Sequence, residues 1–256
     1  MLAHRGASAY APQHTLTAIG MALEQGADVI EVDTHVTRDG HPVLHHSGEL
    51  SETTDGRGSI HRFNLAELSR FDAGYLWSGD GGQTYPYRAK GERIPTLADA
   101  LATFPKARFN IDIKDRRAAR AVRRVIDEHD AAYRVLLASW FSWRRAPALR
   151  DYPGPRSVTM DRMLAFLAPF WVGIDALWWP RVDAFQLPER RFGLRLVSPR
   201  LISHAHRKGI RVHVWTIDRE ADMDRLLDWG VDGIVTKRPD VAVRARARYL
   251  GRRSSS

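Results

Sequence analysis

From Thr96 onward this chain alternates between two periodicities, and no other feature restricts its fold as much. Apolar residues at helical spacing predict helices over Leu97 to Phe104, Ala118 to Asp130, Trp143 to Arg150, Met163 to Trp171, Arg200 to Lys208 and Glu220 to Trp229. Between them, short apolar or alternating runs predict strands over Arg108 to Lys114, Arg134 to Ser139, Arg156 to Met160, Ala184 to Leu187, Arg211 to Ile217 and Gly233 to Thr236. Earlier in the chain, a strand at His4 and another at Glu31 flank a helical segment from Gln13 to Gln25, stopped by Gly26. Such alternation argues for parallel strands joined by helical crossovers, and eight repeats favour a closed sheet. The expected fold is α/β, a TIM-type (β/α)8 barrel.

The stretch from Val29 to His46 reads as a strand, a turn at Asp39-Gly40 and a returning strand. In the first strand Glu31 and Asp33 share a face while Ile30 and Val32 share the other. Two neighbouring carboxylates repel each other if buried, and a hard cation such as Mg²⁺ or Ca²⁺ relieves that cost. Exposure with basic neighbours would relieve it as well. The segment that follows, residues 47–95, is rich in Gly, Ser, Thr and Tyr and reads as a small insertion after the second strand, with a short helix near Leu65 to Arg70. Later strands repeat the polar stripe: Asn110, Asp112 and Lys114 share one face, as do Arg211, His213 and Trp215. In a barrel covered by helices, an inward polar stripe lines a site.

A chain of 256 residues, 44% hydrophobic, has enough apolar material for a single domain of this kind, 1–256. It has no cysteine, which excludes disulfides, thiolate catalysis and cysteine-bound zinc. The net charge of +9 suggests anionic partners, although runs such as Arg116 to Arg124 read as solvated helix faces. No nucleic-acid-binding signature is present. The basic tail 241–256 reads as a frayed last helix that could rest on an acidic membrane. Only three residues precede His4, which suggests a missing upstream leader and leaves the location open between cytoplasmic and membrane-associated. Trp178-Trp179 is the pair to inspect for an exposed greasy patch.

An ordered series of motifs then points to one family. Ala3 to Ser8 (A-H-R-G-A-S), Pro12 to Thr15 (P-Q-H-T), Gly26 to Asp33 (G-A-D-V-I-E-V-D) and Thr37 to His46 (T-R-D-G-H-P-V-L-H-H) come first. Asn110 to Lys114 (N-I-D-I-K), Val214 to Thr216 (V-W-T) and Gly230 to Pro239 (G-V-D-G-I-V-T-K-R-P) follow. In this order they resemble the glycerophosphodiester phosphodiesterase family, and the resemblance covers nearly the whole chain.

The resemblance implies metal-dependent hydrolysis of glycerophosphodiesters to glycerol 3-phosphate and an alcohol. It implies His4 and His46 as general acid and base, work that suits imidazole because its pKa lies near neutrality. His45, next to His46, faces the other way and matches the pattern less well. The same resemblance sets Arg5 and Lys114 on phosphate and Trp215 beside the substrate's glycerol. Glu31, Asp33 and Asp112, with Gln13 as a further candidate, would hold one divalent cation, Mg²⁺ or Ca²⁺. The chain departs from the family pattern at Gln13 and Ser47, each an acid in most members, at Lys237, where aspartate is usual, and at Asp112, a shortened glutamate. Glu31, Asp33 and Asp112 also resemble the acid set of sphingomyelinase D and phospholipase D toxins. Two alternatives follow: a lysophospholipase D or sphingomyelinase-D-like enzyme taking a lysolipid into a groove near Trp171, Trp178 and Trp179, and a phosphate-binding barrel without useful turnover.

Overall fold

A computed structural model describes residues 1–171, 182–191 and 193–254. In chain order the elements are β1 (Leu2–His4), α1 (Leu16–Glu24), β2 (Val29–Val36), β3 (Pro42–Leu44), α2 (Leu65–Leu68), α3 (Leu97–Thr103), β4 (Arg108–Ile113) and α4 (Ala118–Glu128). Then come β5 (Val135–Ala138), α5 (Ser142–Arg145), α6 (Met160–Trp171), β6 (Ala184–Pro188) and a small antiparallel pair, β7 (Arg190–Arg191) and β8 (Leu194–Arg195). The last elements are α7 (Pro199–Arg207), β9 (Arg211–Trp215), α8 (Glu220–Asp228), β10 (Gly233–Thr236) and α9 (Pro239–Ser254).

Neighbouring strands run in the order β5-β4-β2-β1-β10-β9-β6, all parallel along this path, with β3 hairpinned onto β2. The result is a curled, open parallel sheet. The strand expected over Arg156 to Met160 is where the continuous ladder stops. Arg156 and Ser157 make only isolated bridges, to Leu137 on one side and Ala184 on the other. Pro153 and Pro155 supply no N–H on the approach, and the backbone turns helical at Met160, so too few extended residues remain for a full strand.

Helix α1 also begins later than periodicity implies. Thr15 is its N-cap, with Oγ1 accepting from Ala18 N at 3.1 Å, which leaves Gln13 and His14 in the preceding turn. Two apolar cores cover the outside of the sheet. One packs Ile19, Ile30, Val32, Phe109, Ile111 and Val122 between α1, α3, α4 and strands β1, β2, β4 and β5. The other packs Phe166, Phe185, Leu201, Val212, Leu226 and Ile234 on the opposite side. The segment 47–95 has its own small core of Val43, Leu50, Ile60, Leu68, Ala73 and Ile94, so its irregular backbone is still packed.

The C-terminal segment is a docked helix rather than a frayed one. Val241, Ala242 and Ala245 of α9 are buried, while Arg248 pairs with Glu220 and Asp224, Arg252 with Asp228, and Arg246 with Asp28. Those arginines already meet carboxylates of their own chain, which removes them from the free charge expected to contact a membrane. Among the described residues no helix is long and apolar enough to cross a membrane. Trp178-Trp179 and most of the groove expected with them lie outside the described residues.

Candidate active site

Strand register assembles the site. Parallel pairing sets His4 beside Glu31 and Glu31 beside Asn110; two residues further along, Asp33 is beside Asp112. Alternation then sends these side chains to the inner face, while Ile30, Val32, Ile111 and Ile113 go to the helices. His4, Arg5, Glu31, Asp33, His46, Asp112, Lys114 and Trp215 all line one cavity of about 250 Å³. Eight of the nine residues expected to form a site therefore share it, contributed by β1, β2, β4, β9 and the loops after β1, β3 and β4.

Asp33 is the electrostatic centre, only 1% exposed. Lys114 Nζ donates to its Oδ1 at 2.8 Å and to Asp112 Oδ2 at 2.7 Å. Arg5 Nε lies 3.2 Å from Asp33 Oδ2, and His14 Nε2 donates to the same oxygen at 3.1 Å. Burial alone would raise the pKa of Asp33, but Lys114, His14 and Arg5 outweigh it and hold the carboxyl well below its ordinary range. Glu31 and Asp112 go the other way: burial, reinforced by the neighbouring Asp33 charge, pushes both up. Lys114 is raised because the two aspartates overcome its own burial. His4, buried and next to Arg5, is depressed to about 3.

His46 belongs to the mouth of the cavity. Its Nδ1 donates to Glu52 Oε1 at 2.7 Å, while Glu52 Oε2 accepts from Ser47 N at 3.0 Å. Burial opposes ionisation of Glu52, yet the bond to His46 and its charge bring the carboxyl down to about 2. His45 turns into the inserted segment, donating from Nδ1 to Ser47 O at 2.7 Å and accepting at Nε2 from Thr53 Oγ1 at 2.9 Å. His35 Nε2 donates to His46 O at 3.2 Å and so braces the loop that carries His46.

Gln13 does not line this cavity. Its Oε1 accepts from Arg5 Nη1 at 2.6 Å, and it lines a neighbouring cavity. Sequence reading placed Asn110 only within the polar stripe of β4 and did not mark Trp140, Gln186 or His14 as site residues. Asn110, Trp140 and Gln186 line the main cavity, and His14 lies behind Asp33. Asn110 was legible as part of the polar stripe on β4; Trp140 faces Trp215 at 6.1 Å between ring centroids, a contact without local signal. His14 has a positive φ of 66° in a turn, so no periodicity marks it.

Two buried oxygens bear on a cation. Asp112 Oδ1 and Asn110 Oδ1 have no hydrogen-bond partner. Among the described residues no three His, Asp or Glu side chains are drawn together into a metal-binding cluster, and Lys114 lies between Asp33 and Asp112.

Comparison with known proteins bears on the fold and the family. Glycerophosphodiester phosphodiesterase of Caldanaerobacter subterraneus subsp. tengcongensis is 31% identical over 250 residues, which is 95% of this chain and 96% of that protein. A glycerophosphoryl diester phosphodiesterase domain from Mycobacterium tuberculosis has the same fold, with a TM-score of 0.86 at 22% identity over 96% of this chain and 98% of that one. An Oleispira antarctica phosphodiesterase, solved in complex with the product sn-glycerol-3-phosphate, has a TM-score of 0.76 at 26% identity and 96% coverage of both chains. The sequence model of the glycerophosphoryl diester phosphodiesterase family matches residues 4–241. With that match spanning nearly all of it, the chain belongs to the glycerophosphoryl diester phosphodiesterase family and is a phosphodiesterase acting on glycerophosphodiesters.

Proposed function

We propose that the cavity between β1, β2, β4 and β9 hydrolyses a glycerophosphodiester to glycerol 3-phosphate and an alcohol, with His4 and His46 carrying the protons. The observation behind this reading is that both imidazoles line one cavity with two cations, Arg5 and Lys114, and with Glu31, Asp33 and Asp112. The cavity sits at the C-terminal ends of the parallel strands, where α/β folds of this kind keep their ligands.

Burial and the neighbouring Arg5 charge keep His4 neutral near pH 7, so one of its ring nitrogens is free to take the proton of the attacking hydroxyl. As that hydroxyl bonds to phosphorus, the bond to the departing alcohol breaks and the alcohol oxygen takes a proton from His46 Nε2. Glu52 orients the ring by accepting from Nδ1, which leaves Nε2 as the nitrogen turned to the substrate. Arg5 and Lys114 meet the phosphoryl oxygens, where charge accumulates in the transition state.

A divalent cation fits the oxygens here. Burial disfavours the charged forms of Glu31 and Asp112, and the unpartnered Asp112 Oδ1 adds a hard donor. Glu31, Asp33 and Asp112 would hold Mg²⁺ or Ca²⁺, which when bound stabilises negative charge on phosphoryl oxygens. The test is release of glycerol 3-phosphate from glycerophosphocholine or glycerophosphoglycerol with either metal added. His4→Ala and His46→Ala should each lower kcat by about 100-fold or more. Turnover undiminished in both variants would remove the two histidines from the chemistry.

A further inference from the structure

A second cavity of about 270 Å³ adjoins the catalytic one and shares Arg5 with it. Its walls come from three separate regions: Gln13 and Ser8 of the loop after β1, Trp77 and Leu76 of the inserted segment, and Lys237 just beyond β10. Trp77 is held in place, with Nε1 donating to Ser8 O at 3.3 Å and its ring meeting Tyr87 edge-on at 5.0 Å. The backbone of Lys237 is also pinned, since its N donates to Asp218 Oδ1 at 2.8 Å and its O accepts from Ala9 N at 3.2 Å.

The charges in this cavity are unequal. Glu52 is its one carboxylate, and both of its oxygens are engaged by His46 and the Ser47 amide. Lys237 forms no ion pair with any carboxylate among the described residues, unlike the paired arginines of α9. Arg5 adds a second cation on the shared wall.

We propose that this cavity receives the departing alcohol of the diester and selects alcohols that carry a second negative charge, such as a phosphate monoester or a carboxylate. This rests on the phosphodiesterase reading and names the substrate class within it. A diester seated on Arg5 has its phosphorus at the junction of the two cavities. The alcohol that His46 protonates then leaves toward the side walled by Glu52, the carboxylate that holds that same histidine. There the Lys237 ammonium meets the anionic group, while Trp77 and Leu76 cover its carbon skeleton. A cationic alcohol such as choline would meet two like charges instead.

The experiment compares kcat/KM for glycerol 3-phosphodiesters of three alcohols: glycerol 3-phosphate (anionic), glycerol (neutral) and choline (cationic). Wild-type protein should prefer the anionic alcohol over choline by at least about tenfold, which corresponds to about 1.4 kcal/mol. Lys237→Glu should lower the anionic-to-choline ratio by a further tenfold or more, with glycerophosphoglycerol moving least. Lys106→Glu makes the same charge change in the loop before β4, at the opposite end of the strands, and should leave the ratio as it is. A wild-type preference for choline, or equal ratios in wild type and Lys237→Glu, would overturn this inference while leaving the phosphodiesterase reading intact. Failure to cleave any of the three would overturn both.

Discussion

His46 Nδ1 lies 2.7 Å from Glu52 Oε1, and this contact joins the mouth of the main cavity to the segment 47–95. Glu52 itself does not line that cavity, so the segment 47–95 reaches it only through His46. Glu52→Gln keeps the shape of the side chain and removes the charge. We expect kcat to fall by at least about tenfold, by analogy with other carboxylate–histidine pairs, and the pH dependence of kcat to shift. An unchanged pH profile would leave Glu52 a purely structural role.

Metal binding can be read without turnover. If Glu31, Asp33 and Asp112 gather around a cation, millimolar Mg²⁺ or Ca²⁺ should raise the Tm of wild-type protein. The gain is about 2.7 kcal/mol when the ion is at 100 times its Kd. Asp112→Asn removes one of the three charges and should require a higher concentration for the same shift. Identical titrations for the two proteins would exclude Asp112 as a ligand.

Acid stability should depend on buried imidazoles. His213 is depressed to about 4 by burial, and Gln186 Nε2 donates to its Nδ1 at 3.3 Å, a bond that requires the neutral ring. His14 is likewise held at about 4, and His4 at about 3. Between their ordinary value of 6.5 and these values the unfolded chain binds more protons, so these groups lower stability as pH falls through that window. Glu31 and Asp112, which are raised, act in the opposite direction. His213→Gln isolates one contribution: the stability gap between it and wild type, measured by urea unfolding, should narrow from pH 7 to pH 4. Parallel curves would mean that His213 titrates alike in both states.

The loop carrying His4 and Arg5 depends on Gly6. A Cβ there would lie 2.6 Å from Ala18 C and 2.7 Å from Ala18 O, at a φ of +81° that disfavours any side chain. Gly6→Ala should cost at least about 2 kcal/mol of unfolding free energy, since both the backbone and the α1 contact must yield. A loss below about 0.5 kcal/mol would show that the loop relaxes freely.

Much of this molecule was legible one neighbourhood at a time. The helix–strand alternation, the Asp39-Gly40 turn and the polar stripes of β2 and β4 depend on residues a few positions apart, so periodicity reveals them. The family motifs, each short, brought His4, Glu31, Asp112 and Trp215 into consideration for the same reason. What tertiary structure alone decided is everything that depends on register and on distant contact. Pairing His4 with Glu31 and Asp33 with Asp112 brings four groups from three strands to one cavity. Arg5 hydrogen-bonds Gln13, Glu52 meets His46, and α8 takes up the charges of Arg248 and Arg252 from the basic tail. The ladder shortens at Arg156 and Ser157, where the backbone turns helical from Met160 and leaves few extended residues to pair. Sequence spacing sets which residues share a face, but only the folded sheet determines which faces meet, because hydrogen-bond register couples positions far apart in the chain.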